Sequence, residues 1–127
     1  MKLLLITLPL FLLMTLPTTQ LHAGAPTCHA AYNGYCGYKG KVKSIYINSG
    51  NLILLYFDTP LAEGTSEIAG LNATQSAAAV LLNENPEFAK LFYSTALTAQ
   101  ASGREVSIQM RGTYGGYLKA DRIWLTE

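Results

Sequence analysis

Between positions 85 and 103 the chain carries a complete helix signature, and that one segment restricts the fold more than any other. Asn85 has a side chain suited to accept from the open amides of a first turn. Pro86 stands at the first helical position, where a missing N–H is harmless, and Glu87 complements the positive end of the dipole. Phe88, Leu91, Phe92, Thr95 and Ala99 recur at helical spacing, and Gly103 supplies the left-handed stop. The expectation is a single helix of about four turns with one apolar face.

On both sides of that helix the texture is that of strands. Residues 41–47 are β-branched and partly alternating, residues 48–51 are turn formers, and residues 52–58 form a run apolar on both faces, as in a central strand. Residues 58–72 mix Pro, Gly, Glu and Thr and read as a loop with a short extended piece. Residues 76–83 are ambiguous, since alanine favours helix, but their length and position favour a third strand. Beyond the helix, residues 105–111 alternate, with Val106, Ile108 and Met110 on one face; residues 112–117 are a glycine-rich loop, and residues 118–125 a final strand. The order β-β-β-α-β-β predicts a mainly β fold, a β-barrel with one helix, in the layout of an OB-fold whose helix plugs one end. A split α+β sheet is the rival arrangement.

The N-terminal segment predicts export. Lys2 is a minimal charged region, residues 3–14 are almost unbroken apolar sequence, and Leu21-His22-Ala23 is an acceptable cleavage site. Cutting after Ala25 would put Pro26 directly beyond the scissile bond, so Ala23 is preferred. A membrane anchor is the alternative, but Pro9 and Pro17 interrupt a run shorter than the ~20 residues a spanning helix needs. The expected organisation is a signal peptide over 1–23, a Gly-, Tyr- and Asn-rich arm over 24–39, and the OB-fold domain over 40–127. In an oxidising compartment Cys28 and Cys36, the only cysteines, are expected to pair and to staple the arm, contributing ~2.5 kcal/mol. With His29 the only histidine past the leader, no metal site is expected.

Nine basic and eight acidic side chains become eight and eight once Lys2 is removed with the leader. A neutral domain has no electrostatic footprint for nucleic acid or an anionic membrane surface. Catalysis would have to rest on His29 alone, in the arm; Glu84 and Glu87 flank the helix start, and Asp58, Glu63 and Glu67 lie in a loop. The expectation is a chain that is not an enzyme and uses no cofactor. Five of eight tyrosines (Tyr32, Tyr35, Tyr38, Tyr114 and Tyr117) stand in glycine-rich stretches, where they either cap the barrel ends or offer flat faces to sugars or proteins. The candidate ligand site is the 112–117 loop, with Tyr114 and Tyr117 as stacking faces and Thr113 as a polar contact. Lys39, Lys41 and Lys43 recur at period two, as a lysine-guarded edge strand or as a ligand patch that includes Lys39. Asn72-Ala73-Thr74 matches the N-glycosylation pattern.

Residues 38–125 resemble the B subunits of subtilase-type AB5 toxins and the small secreted bacterial OB-fold proteins related to them. The matching pieces are Gly40-Lys41-Val42, Tyr56-Phe57, residues 94–103 leading into Val106-Ser107-Ile108, and Lys119-Ala120 with its hydrophobic tail. The resemblance implies an OB-fold, a homo-pentameric ring, recognition of cell-surface glycans including sialylated ones, and a catalytic A subunit as partner. Departures qualify it. Asp58 stands where the toxins have a cysteine, Lys39 replaces a small hydroxyl residue at their sugar site, and Met110 replaces an aromatic near it. Their sialic-acid site is therefore not expected to transfer, and Cys28 with Cys36 would substitute for their lost disulfide. The expected function is a secreted or periplasmic, non-catalytic module for a glycan or envelope partner. The runner-up is a monomeric periplasmic inhibitor or stress protein acting through protein contacts.

Overall fold

Residue 40 is a glycine because the strand around it has to bend over its own barrel. In the computed structural model, which describes residues 24–66 and 70–127, β2 (Tyr35–Asn48) is 14 residues long and serves two neighbours. Its first half pairs with β7 (Glu105–Tyr114), from Cys36 opposite Met110 to Lys41 opposite Glu105. Its second half pairs with β3 (Leu52–Phe57), from Val42 opposite Phe57 to Asn48 opposite Leu52, after a register shift between Val42 and Ser44. A Cβ at Gly40 would lie 3.1 Å from the Phe57 ring, so glycine lets the strand hug the core as it changes partner.

The remaining elements are β1 (Thr27–His29), a 3-10 turn (Ala31–Asn33), β4 (Gly64–Ser66), β5 (Leu71–Ala73), β6 (Ala78–Leu81), α1 (Pro86–Ser102) and β8 (Tyr117–Leu125). The main sheet runs β1-β2-β3-β6-β8-β7, and the β2–β7 pairing closes it into a five-stranded barrel with β1 as a flap. β6 and β8 are parallel and every other pairing is antiparallel. This is the OB-fold, with α1 between its third and fourth barrel strands. Closure excludes the split open sheet.

Alternation sorts each strand. Ile53, Leu55 and Phe57 of β3 point inward with Val106, Ile108 and Met110 of β7 and Leu118 and Ala120 of β8, and all are buried. The helix begins and ends on its expected signals: the Phe88 N–H donates to Asn85 Oδ1 at 3.0 Å, and Gly103 is left-handed at φ 69°. Its buried face differs from the spacing estimate. Ala89, Phe92, Ala96 and Ala99 are buried, whereas Leu91 is 67% exposed. Small residues on that face let the helix axis approach the barrel mouth, and only Phe92 enters as a plug. The Gln100 amide donates to the Lys43 carbonyl at 2.9 Å, tying the helix to the irregular stretch of β2.

Two further expectations are corrected. The arm over 24–39 is not irregular: β1 and the 3-10 turn lie within it and residues 35–39 belong to β2, so the boundary at 39/40 falls inside a barrel strand. The 112–117 segment is not an open loop but a tight hairpin, with Tyr114 opposite Tyr117 and only Gly115 and Gly116 between them, at φ 56° and 86°. Positive φ at both turn residues suits the right-handed twist of the flanking strands. The 58–72 loop contains the β4–β5 ladder, with Asn72 exposed in β5. Cys28 and Cys36 are bonded at 2.04 Å and face each other across the β1–β2 ladder, as expected. No helix among the described residues is long and apolar enough to cross a membrane. The expected leader over 1–23 lies outside the described residues.

Candidate functional site

The outward face of β3 is as apolar as its inward face. Leu52, Leu54 and Tyr56 point away from the barrel, and register aligns Tyr46 with Leu54 and Leu54 with Ala79. Leu54, Ala77 and Ala79 are buried although they lie outside the main core, as a second apolar cluster against which Leu52, Tyr56 and Tyr117 pack. The two alanines lower the surface between taller strands, and rings roof it.

The Tyr56 and Tyr117 phenols lie close enough to act on each other electrostatically. Burial pushes the Tyr56 hydroxyl above the ordinary tyrosine value, and the neighbouring Tyr117 and Tyr46 phenols add to the shift. Tyr46 is 49% exposed beside them, and Asn48 Nδ2 lies 3.5 Å from its hydroxyl. Tyr114, 46% exposed, faces Tyr117 across the hairpin and carries the aromatic strip to its tip. The tip is fixed: the Gly116 carbonyl accepts from the Thr74 and Gln75 amides at 2.9 and 3.1 Å, and a Cβ at Gly116 would overlap the Thr74 hydroxyl.

Of the four residues expected to bind ligand, the structure brings together Tyr114 and Tyr117. Thr113 pairs with the inward-facing Leu118, so it lies on the opposite side of the hairpin from the two rings. Lys39 is remote. It stands opposite Ser107, which stands opposite Trp124, and its ammonium is 3.4 Å from Glu105 Oε2. Trp124 is seven positions along β8 from Tyr117, about 23 Å at the rise of a strand. Lys39 borders a separate cleft of about 520 Å³ with Tyr35, Gly37, Ser107, Gln109 and Trp124. At Lys39 the strand is paired with β7 on one side only, since β1 reaches no further than Gly37 and the β3 pairing begins at Val42, so Lys39 stands on a local edge.

Sequence reasoning missed Tyr46 and Tyr56, which lie in clear strand sequence and read as core. The available signal was the two-faced apolarity of residues 52–57 in a barrel that has only one inside. It also missed Trp124.

The arm's tip is held by Arg111, whose Nη1 donates to the Tyr32 carbonyl at 2.9 Å and whose guanidinium lies 5.7 Å from the Tyr35 ring centre. Arg111 Nε is 3.2 Å from Asp121 Oδ2, close enough for a charge pair but not aligned as a hydrogen bond. His29 stacks on Tyr35 with ring centres 4.8 Å apart. Among the described residues no three His, Cys, Asp or Glu side chains are grouped to hold a metal ion. No protein-family model matches the chain, and no curated protein or solved structure matches it either.

Proposed function

We propose that this chain is an exported, non-catalytic binding module whose tyrosine-faced barrel side takes a glycan of the cell envelope or cell surface. The observation that carries this reading is that Tyr56 and Tyr117 pack together on a floor of Leu54, Ala77 and Ala79, beside half-exposed Tyr46. A sugar ring presents an apolar C–H face and a rim of hydroxyls. A phenol ring offers the matching flat surface, and its hydroxyl can both donate and accept. Tyrosines have few rotatable bonds and these stand on paired strands, so little conformational freedom is lost on binding. The outer face of the second and third strands is also where OB barrels generally take oligosaccharides and oligonucleotides. The neutral charge balance favours the former.

Export is supported by the leader-like segment and by the Cys28–Cys36 disulfide. In the likeness to AB5 B subunits, a homo-pentameric ring would multiply weak sites into useful avidity and could carry an A subunit.

The test is calorimetric titration of a panel of neutral and sialylated oligosaccharides into the chain beginning at Gly24. Tyr56→Ala with Tyr117→Ala is expected to weaken binding at least tenfold while the thermal transition remains cooperative. Lys39→Ala with Trp124→Ala is expected to leave it unchanged. The opposite pattern would move the site to the Lys39 cleft, and no binding to any glycan would sink the reading. A second reading, a monomeric module for protein partners, is favoured by Leu91 and Trp124, 67% and 48% exposed along one groove between α1 and β8. Light scattering on a sizing column separates the two: a pentamer supports the ring, and a monomer the protein-contact reading.

A further inference from the structure

We infer that Gly24 is the mature amino terminus and that the barrel is built to hold it as a clamp over Leu61. The inference rests on the proposed export. Gly24 forms a parallel bridge with Leu61: its N–H donates to the Pro60 carbonyl at 2.7 Å, and its own carbonyl accepts from the Ala62 N–H at 2.8 Å. Both backbone groups of one residue are thus spent on residues 60–62, and the residue between, Leu61, is fully buried in the main core. Strand β3 has just ended at Phe57, and beyond the Asp58 N–H, which donates to the Lys41 carbonyl at 3.0 Å, no β2–β3 ladder holds residues 59–62. Gly24 supplies that tie.

The position also demands glycine. A Cβ there would lie 2.7 Å from Tyr38 Cε2 and 2.9 Å from Cζ, and would overlap the hydroxyl. Tyr38 cannot easily give way, since its ring meets Phe57 edge-on with centres 4.8 Å apart and its hydroxyl donates to the Thr59 carbonyl at 2.6 Å. Gly24, Tyr38 and Thr59 thus form one interlocked corner, bordering a cleft with Asp58, Lys39, Lys41 and Glu105.

Cleavage immediately before this corner is chemically compatible with it. A signal peptidase of the export pathway adds water across the Ala23–Gly24 bond. The leader departs with an Ala23 carboxylate, and the Gly24 nitrogen departs as an amine that is protonated at neutral pH. That ammonium keeps a proton for the Pro60 carbonyl. Cleavage after Ala25 would instead discard the clamp and put Pro26 beyond the scissile bond.

Two measurements test this. First, the full chain is expressed in a bacterium with a working secretory pathway, and the exported product is analysed by intact mass and N-terminal sequencing. A product beginning at Gly24 is expected. A product cut at another bond overturns this inference alone, whereas retention of residues 1–23 overturns the export reading with it. Second, chains beginning at Gly24 and at Pro26 are prepared with native termini and melted. The shorter chain is expected to melt about 5 °C lower or more. Equal melting temperatures overturn the clamp. Gly24→Ala in the longer chain provides a milder check, with a drop in the same direction.

Discussion

Tyr56 carries the most information of any single residue, because its hydroxyl is desolvated and close to the Tyr117 and Tyr46 phenols. A phenol whose folded-state pKa is raised favours the fold fully below the ordinary tyrosine value of about 10. That contribution is lost as pH rises through the raised folded value, because the unfolded chain ionises first. Thermal unfolding followed across alkaline pH is therefore expected to show a decline beginning near pH 10, and Tyr56→Phe is expected to flatten it. Tyr38, also raised by burial, contributes in the same direction. Gly116 is the second informative residue: it combines φ 86° with the Thr74 hydroxyl where a side chain would begin. Gly116→Ala is expected to cost at least about 1 kcal/mol in denaturant unfolding, the scale of a substitution at an incompatible φ. Neither property shows in sequence, where Gly116 is one of several loop glycines and Tyr56 one aromatic in an apolar run.

At the scale of the element, α1 shows where periodicity informs and where it stops. The ends of the helix were legible because capping is local chemistry: Asn85, Pro86 and Gly103 act on amides and carbonyls within a few residues. Asn85→Ala is expected to cost about 1 kcal/mol. The buried face was not legible to the same degree. Leu91 and Phe92 are adjacent and both apolar, and spacing alone cannot say which of them meets the barrel. Phe92→Ala is expected to cost about 3 to 5 kcal/mol by chemical denaturation, whereas Leu91→Ser is expected to change stability by no more than about 0.5 kcal/mol. The 112–117 segment misled for a related reason. Glycines that read as an open loop form a bend at Gly112 (φ 68°) and a tight turn at Gly115 and Gly116, and both strands run into the hairpin.

At the scale of the whole molecule, closure of the barrel arranges the surfaces. One 14-residue strand pairs with β7 and then β3, so an antiparallel sheet becomes a ring and presents one continuous outer face. On that face the tyrosine strip and the Lys39 cleft are separate, although the sequence offered Tyr114, Tyr117 and Lys39 alike as ligand candidates. The β1 flap is held by its short ladder with β2, by the disulfide and by Arg111 of β7. Cys28→Ser with Cys36→Ser is accordingly expected to lower stability by about 2.5 kcal/mol while the far-ultraviolet circular dichroism of the barrel persists.

The sequence by itself determined what depends on near neighbours along the chain: the order of the five barrel strands and the helix, both helix ends, the β2–β3 turn, the pairing of two solitary cysteines and the neutral charge of residues 24–127. These follow from local backbone chemistry and composition. Only the tertiary structure decided which face of each strand looks outward, which helix residue plugs the barrel, and which tyrosines share a surface. Those outcomes depend on register between strands far apart in the chain. Tyr46 and Tyr56 share a face of the β2–β3 hairpin, and Tyr117 joins them only through the β3–β6 and β6–β8 pairings.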